Sequence, residues 1–427
     1  AARTVRQAID HHARLPADLL QAKAEHATIA GAAWAKARAQ GDFTIFKPHL
    51  ENVVALARRT ADALGYVGHA YDPMVQIFEP GETAANLTAF FDRLRAGILP
   101  ILDHARSRLL PRTDFLYRDF DPQAQQRFVA DTATLLGYDF DRGRMDTAVH
   151  PFEVSFTRND VRITSRWPRN YLPMSIFGSI HEVGHALYEQ GVDPVHTRGA
   201  FATDMIGLYA VGGTSFGMHE SQSRLLENHV GRSPEFWQMH FPRLRDTFPD
   251  QLRDVTVEEF IAAINRVEPG PIRVEADELT YDLHIMLRVR IEMALMDGSL
   301  QVADIPDAWN RAMQSDLGIP IADDAQGCLQ DVHWSSGYIG SFPTYTIGNA
   351  TAAQLMGHFD ETQPDIRQAL DAGDTMPLRH ALGNAVWSHG RSLTRAQILD
   401  RLGLTANDPT AYLTYLGDKF ASAGTGP

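Results

Sequence analysis

The sequence has 427 residues, of which 44% are hydrophobic and 22% are charged, as in ordinary globular proteins. Its net charge of −14 argues against a nucleic-acid partner, which would need clustered lysine and arginine. The single cysteine, Cys328, excludes an internal disulfide, and no apolar run approaches the ~20 residues needed to span a bilayer. These features predict a cytoplasmic protein that binds neither nucleic acid nor membrane, with Cys328 as a small buried side chain.

Helical periodicity dominates the first part of the chain. Over residues 6–99 apolar side chains recur at helix spacing, with a break at residues 79–83. Pro100 is expected to end or kink the helix that precedes it, and residues 123–138 form the next predicted helix.

The chain opens with Ala1 rather than Met, and this start has the character of an internal segment. We therefore expect that preceding residues have been removed.

The pattern changes near residue 149. Residues 149–156 and 160–164 have the composition of two short strands, and residues 157–159 supply the turn of an antiparallel hairpin. The sequence shows no repeat and no linker rich in glycine or serine. We predict a mostly α fold, a single large helical body over residues 1–427 with a small antiparallel β element. The later helices are predicted at residues 218–230, 234–247, 257–267, 275–296, 302–317, 351–359, 365–372 and 394–402.

The most informative stretch is His181-Glu182-Val183-Gly184-His185. Positions four apart share one face of a helix, so both imidazoles can reach one Zn²⁺. Glu182 would then stand beside the ion and act as the general base that takes a proton from water, as in metallopeptidases with this HExxH pattern. The alternative interpretation is a chance occurrence on a solvated helix.

A catalytic zinc site needs a third protein ligand. A glutamate from a second helix is a common solution, and Glu220 in residues 218–228 is the best candidate. Glu189 is nearer in sequence but projects one turn beyond His185 on the same helix. Spacing alone leaves open that Glu220 is a surface carboxylate.

Several further segments have distinctive sequences. Together and in order they resemble the carboxypeptidase Taq family, metallocarboxypeptidases that remove single amino acids from peptide C-termini. The resemblance covers residues 42–417. It is carried by the HExxH run continued to Gly191, His219-Glu220-Ser221-Gln222-Ser223-Arg224, His150-Pro151-Phe152, Asp160-Val161-Arg162-Ile163-Thr164, Ile272-Arg273-Val274-Glu275-Ala276-Asp277, Gly327-Cys328-Leu329-Gln330-Asp331-Val332-His333-Trp334, and residues 71–81 and 342–348.

The resemblance implies an α-helical body with a deep active-site groove, one divalent metal per chain (zinc, with cobalt as an option), a cytosolic homodimer, and peptide substrates with a free C-terminus. It also places Glu220 as the third metal ligand. Two departures stand out. Family chains usually begin with a longer helical region, which indicates that the N-terminal region is truncated here. The interval from His185 to Glu220 is also longer than expected, with the extra residues in a loop at 197–213 that we expect to alter substrate access or specificity.

The resemblance assigns Arg273 to the substrate carboxylate, which a guanidinium binds as a bidentate, charge-assisted pair. The alternative is a structural ion pair with Asp277, four positions later. His333 and Tyr345 are candidate donors to the oxyanion of the reaction. Their alternatives are a buried histidine bonded to backbone and a core aromatic side chain.

Five other motif residues are expected to support the site rather than to react. A support role means that they hold the hairpin and the metal-binding helices in place. These residues are His150, Asp160, Arg162, Gln330 and Asp331.

The predicted activity is metal-assisted hydrolysis that releases single C-terminal amino acids, with Glu182 as general base. Two alternatives stay open at this point. One is an oligopeptidase or endopeptidase that uses the same metal core. The other is an inactive homologue that only binds peptides.

Overall fold

The computed structural model describes residues 2–197, 199, 201 and 215–421, and most of these residues are helical. The α-helices are α1 Ala2–Ala13, α2 Ala17–Gln40, α3 Phe43–Leu64, α4 Asp72–Phe78, α5 Ala84–Arg106, α6 Pro122–Leu136, α7 Leu172–Gly191, α8 Phe216–Arg224, α9 Pro234–Thr247, α10 Val257–Ile264, α11 Tyr281–Asp297, α12 Ile305–Leu317, α13 Pro343–Thr362, α14 Asp365–Asp371, α15 Met376–Ala385, α16 Arg395–Arg401 and α17 Thr410–Phe420. None of the described helices is both long enough and apolar enough to cross a bilayer.

Short helical segments lie between several of these helices. A π-helix, Leu225–Val230, continues directly from α8. The 3₁₀ turns are Asp114–Tyr117, Phe140–Arg142, Pro194–His196, Arg273–Glu275, Val302–Asp304 and Trp387–His389. The mostly α fold predicted from the sequence is confirmed.

The β element is a three-stranded mixed sheet that precedes α7. Strands β2 Glu153–Thr157 and β3 Asp160–Ser165 pair antiparallel, which confirms the predicted hairpin. The expectation of a purely antiparallel element was wrong, because β1 Gly143–Thr147 pairs parallel with β3 on its other side. The first predicted strand also began too early. Residues 149–152 lie outside it, and Pro151 among them has no N–H for a strand ladder.

Several helix ends differ from the prediction. Of the two outcomes expected at Pro100, an end or a kink, the end is wrong, because α5 runs through to Arg106. Helix α11 begins at Tyr281 rather than Glu275, because the Asp277 carboxylate accepts from the backbone N–H of Leu279 and Thr280 and closes a turn there. Helix α13 begins eight residues earlier than predicted, with Pro343 in its first turn. Helices α15 and α17 were not predicted.

Two hydrophobic clusters form the interior. One joins α2–α5 with α11, α12 and α17, and the other joins α6–α10 with α15 and β3. Helix α13 belongs to both, because Ile347 and Ala350 pack in the first cluster while Leu355 and Phe359 pack in the second. The helix therefore runs between the two halves of the core, and it lies against α8, which carries Glu220.

Candidate active site

Helices α7 and α8 bring the three predicted metal ligands together. His181 and His185 are one turn apart on α7, with ring centroids 4.9 Å apart. Glu220 of α8 places Oε2 3.7 Å from His181 Nε2 and 3.3 Å from His185 Nε2. The ligand atoms of all three residues lie within 4.8 Å of one another. This spacing suits a divalent ion bound at ~2.0–2.2 Å from nitrogen and oxygen ligands.

Two glycines permit the close packing around α8. A Cβ on Gly184 of α7 would lie 2.4 Å from the backbone oxygen of Gln222, so α7 and α8 meet backbone to backbone. A Cβ on Gly348 of α13 would lie 2.6 Å from Glu220 Cγ. Helix α8 is thus enclosed between α7 and α13, and the Glu220 side chain has little room to move.

A second layer of side chains contacts each ligand. His181 Nδ1 lies 3.1 Å from Glu227 Oε2, and Glu227 belongs to the π-helix that follows α8. His185 Nδ1 lies 2.6 Å from His219 Nδ1, and His219 Nε2 lies 2.7 Å from Glu189 Oε1. Glu189, weighed in the sequence as a possible third ligand, therefore bonds to His219 instead.

Arg224 fixes the charge of the carboxylate ligand. Its Nε donates to Glu220 Oε1 at 2.7 Å, which leaves Oε2 turned toward the two imidazoles. Burial alone would raise the pKa of Glu220, but Arg224 and the two histidines hold it well below the usual range. Burial lowers the pKa of His185 to about 3. Both groups are therefore in the forms that bind a metal, an anionic carboxylate and a neutral imidazole.

Glu182 occupies the position expected of a general base. It lies between the two histidines in the sequence, is buried, and lines the same cavity as the three ligands. Burial raises the pKa of its carboxyl to about 7, which His181 opposes only in part. A carboxylate with a pKa near neutrality is suited to take up and release a proton.

The ligands open onto a cavity of about 680 Å³. Its other lining residues come from distant parts of the chain. Phe152 belongs to the segment before β2, Phe78 to α4, and Arg391 to the segment after Trp387–His389. His333 and Tyr345, both predicted site residues, lie in the lining as well. The volume is within the range of small-molecule and peptide-binding clefts.

His333 and Tyr345 contact each other. His333 Nε2 lies 2.9 Å from the Tyr345 hydroxyl. Burial lowers the pKa of His333 to about 4, so the imidazole is neutral at physiological pH. His333 Nδ1 is buried and has no hydrogen-bond partner among the described residues. The alternative of a histidine bonded to backbone therefore finds no support in the contacts of this side chain.

Arg273 lies behind Tyr345, in a group that we call the arginine cluster (Arg273, Arg288 and Asp331). Arg273 donates to Asp331 Oδ1 from Nε at 2.9 Å and from Nη2 at 2.8 Å. Arg288 Nε donates to Asp331 Oδ2 at 2.6 Å. The partner of Arg273 is thus Asp331, and the alternative of an ion pair with Asp277 was wrong, because Asp277 instead accepts from Thr280.

Comparison with known proteins identifies the family. The profile of the carboxypeptidase Taq (M32) metallopeptidases matches residues 1–420. The chain belongs to this family. It is 38% identical to carboxypeptidase 1 of Bacillus subtilis over 91% of this chain and 76% of that protein, and 37% identical to thermostable carboxypeptidase 1 of Thermus thermophilus over 96% and 79%. The crystal structure of the M32 carboxypeptidase from Deinococcus radiodurans is 38% identical, with a TM-score of 0.93 over 98% of this chain and 83% of that one.

Membership in the M32 family confirms the resemblance seen in the motifs. The protein is a metallocarboxypeptidase, a peptide hydrolase that requires a divalent metal. The three ligand side chains described above are the group among the described residues that could hold such an ion.

The five M32 motif residues expected to support the site lie at different distances from it. Gln330 and Asp331 both bind Arg273, Gln330 through the Arg273 backbone N–H at 2.8 Å. Arg162 and Asp160 form a bidentate pair with each other in β3. His150 is exposed, although its neighbours Pro151 and Phe152 line the cavity. Of the loop predicted at 197–213, residues 198, 200 and 202–213 lie outside the described residues.

Four supporting residues were not among the predicted site residues: Glu189, His219, Arg224 and Glu227. Each contacts a metal ligand or its histidine neighbour. A signal was present in the sequence, since all four fall within one or two helical turns of the predicted ligands. The π-helix was not predictable from periodicity, and it is the element that carries Glu227.

Proposed function

We propose that this M32 enzyme releases single amino acids from the free C-terminus of peptides, with one zinc or cobalt ion held by His181, His185 and Glu220. The observation that carries the proposal is the convergence of these three side chains beside Glu182 in one cavity. A divalent ion bound there would acidify a water molecule and polarise the scissile carbonyl.

Glu182 moves the proton in this scheme. Its carboxylate takes the proton of the attacking water and returns it to the nitrogen of the leaving amino acid. Burial favours this role, because it raises the pKa of the acid to about 7 and brings the two protonation states close in free energy.

Tyr345 and His333 are proposed to stabilise the developing oxyanion. With its proton on Nε2, neutral His333 donates to the Tyr345 oxygen at 2.9 Å. The Tyr345 hydroxyl hydrogen is then left to point into the cavity and donate to a negatively charged oxygen.

Arg273 is proposed to attract the substrate carboxylate. Three of its five N–H groups are bonded to Asp331 and Tyr281, so two carry no hydrogen bond to a described residue. Its Cζ lies 5.2 Å from the Tyr345 ring, so the guanidinium charge sits one side chain behind the cavity lining. Asp331 and Gln330 hold this guanidinium in place, while Asp160, Arg162 and His150 are proposed to support the hairpin.

We further propose that residues 1–427 form a single catalytic unit that acts as a cytoplasmic homodimer. The support for the dimer is the M32 family membership, and the support for the cytoplasm is the same membership together with the buried, reduced Cys328.

The deciding experiment compares matched peptides with a free or an amidated C-terminus. After removal of metal by a chelator, we expect no hydrolysis, and added Zn²⁺ or Co²⁺ should restore release of single amino acids from the free-acid peptide alone. Internal cleavage of the amidated peptide would contradict the proposal and favour an endopeptidase. Stoichiometric metal binding without any hydrolysis would favour a peptide-binding homologue.

A further inference from the structure

The two histidine ligands are supported in unequal ways. His181 Nδ1 meets a carboxylate directly, at 3.1 Å from Glu227. His185 Nδ1 meets a second imidazole, that of His219, and only through it a carboxylate, that of Glu189. We call the chain His185–His219–Glu189 the histidine relay. It leaves α7 at His185, crosses to α8 at His219 and returns to α7 one turn later at Glu189.

The two short contacts of the relay allow one assignment of protons that is compatible with metal binding. If His185 Nε2 keeps its lone pair for a metal ion, then the proton of the neutral ring is on Nδ1, and Nδ1–H donates to His219 Nδ1 at 2.6 Å. His219 Nδ1 is then an acceptor, so its own proton is on Nε2 and is donated to Glu189 Oε1 at 2.7 Å. The reverse direction would place a hydrogen on His185 Nε2 and block the ligand.

Packing holds the relay in this geometry. The His185 and His219 rings meet edge to edge, with their Nδ1 atoms 2.6 Å apart and their centroids 4.7 Å apart, and the Tyr188 ring packs against His219 at 5.0 Å. The Glu189 side chain is 4% exposed. Its second oxygen, Oε2, is buried and has no hydrogen-bond partner among the described residues. A buried carboxylate with one hydrogen bond is costly to keep, which indicates that its contact with His219 serves the site.

We propose that His219 and Glu189 are positioning residues that select the Nδ1–H tautomer of His185 and orient its Nε2 toward the metal. This inference rests on the metal site of the proposed function, and it assigns a task to two residues that do not themselves bind the ion. Outer contacts of this kind typically change metal affinity 10–100-fold.

The test measures Zn²⁺ affinity rather than turnover. His219→Phe keeps an aromatic ring at this position but removes both hydrogen bonds, and we expect it to weaken Zn²⁺ binding by about 10–100-fold. His219→Asn restores an acceptor oxygen for His185 Nδ1–H and should lose less. The visible absorption of the Co²⁺-loaded protein should change in His219→Phe, because the geometry of a ligand changes. The matched control is His240→Phe, which replaces a buried histidine of α9 packed against Phe236 with ring centroids 4.4 Å apart, and this variant should bind Zn²⁺ as the parent does.

The outcomes separate this inference from the proposed function. If the parent binds one Zn²⁺ and His219→Phe binds it equally tightly with an unchanged Co²⁺ spectrum, the relay is overturned while the metal site stands. If the parent itself binds no Zn²⁺, both are overturned. Should His219→Phe fail to fold by circular dichroism, histidine ¹⁵N chemical shifts of the Zn²⁺-loaded parent decide. Protonated Nδ1 on His185 with unprotonated Nδ1 on His219 supports the relay, and the opposite pattern contradicts it.

Discussion

The metal-ligand side of the cavity and the arginine cluster are assembled in opposite ways. The ligands and their supports come from two short stretches, residues 181–189 and 219–227, which lie on α7, on α8 and on the π-helix. The arginine cluster draws Arg273 from a 3₁₀ turn, Arg288 from α11 and Asp331 from a loop. Helix periodicity positions the residues within each of the two stretches, and one helix–helix contact joins them, whereas the arginine cluster needs three separate segments of the fold.

The two regions also differ in the sign of the ion that their charged side chains suit. On the ligand side, Glu220 lies where the imidazole nitrogens of His181 and His185 converge, and Glu227 contacts His181 from behind, which suits a cation. In the arginine cluster, two buried guanidinium groups share one carboxylate, which suits an anion such as a peptide C-terminus. Under the proposed function, the cavity holds a metal on the ligand side, and the arginine cluster one side chain behind its lining supplies positive charge for the substrate carboxylate.

The largest effect is expected on the metal-ligand side. Glu182→Gln removes the proposed base while keeping the size of the side chain, and kcat should fall by about 10²–10⁴-fold. Metal content should be unchanged, because Glu182 is not among the converging ligands. Steady-state kinetics with a free-acid peptide and metal analysis of the same sample provide the check. Glu258→Gln on the exposed side of α10 is the control. Near-parental turnover in Glu182→Gln would mean that another group takes the proton.

In the arginine cluster, the effect is expected on the free energy of unfolding of the protein. Burial would raise the pKa of Asp331, but Arg273 and Arg288 hold it well below its usual range. Since folding lowers this pKa, its contribution is present at neutral pH and is lost only as the pH falls below about 4. Asp331→Asn leaves two buried guanidinium groups without a counter-charge, so the free energy of unfolding at neutral pH should fall by about 3–5 kcal/mol.

The matched control for Asp331 is a second aspartate that pairs with arginine in bidentate fashion. Asp160→Asn breaks the pair with Arg162, in which both side chains are about 40% exposed. Its cost should be about 0–1 kcal/mol, with the free energy of unfolding of both variants measured by urea denaturation at neutral pH. Equal losses in the two variants would show that burial does not distinguish the arginine cluster from a surface ion pair.

The sequence could predict what depends on short-range spacing. His181, His185 and Glu182 follow from the period of one helix, whereas spacing made Glu220 only a candidate and the family resemblance placed it as the third ligand. Asp331 as the partner of Arg273 could not be found this way, because 58 positions separate them. The Asp277 alternative assumed a helix at residue 275, where a 3₁₀ turn ends. Strand β1 was missed because Gly143 and Asp146 have low strand propensity and its pairing with β3 is parallel.

The smallest effect concerns the packing that holds Glu220. In Gly348→Ala the new Cβ would lie 2.6 Å from Glu220 Cγ and 2.8 Å from Glu220 Cβ, so α13 or the ligand must shift. We expect Zn²⁺ affinity to fall by about tenfold, the lower end of the range for changes around a metal ligand. Competition with a chromophoric chelator measures the affinity.

Gly357 provides the control on the same helix. A Cβ at this position meets no atom within 4 Å, so Gly357→Ala tests helix propensity without contact. It should raise the free energy of unfolding by roughly 0.5–1 kcal/mol and leave Zn²⁺ affinity unchanged. If both alanine variants bind Zn²⁺ like the parent, the close approach of α13 does not position Glu220. The position of Glu220 would then depend on α7 and α8 alone. The metal-ligand side would be built from fewer segments of the chain, and it would differ even more from the arginine cluster.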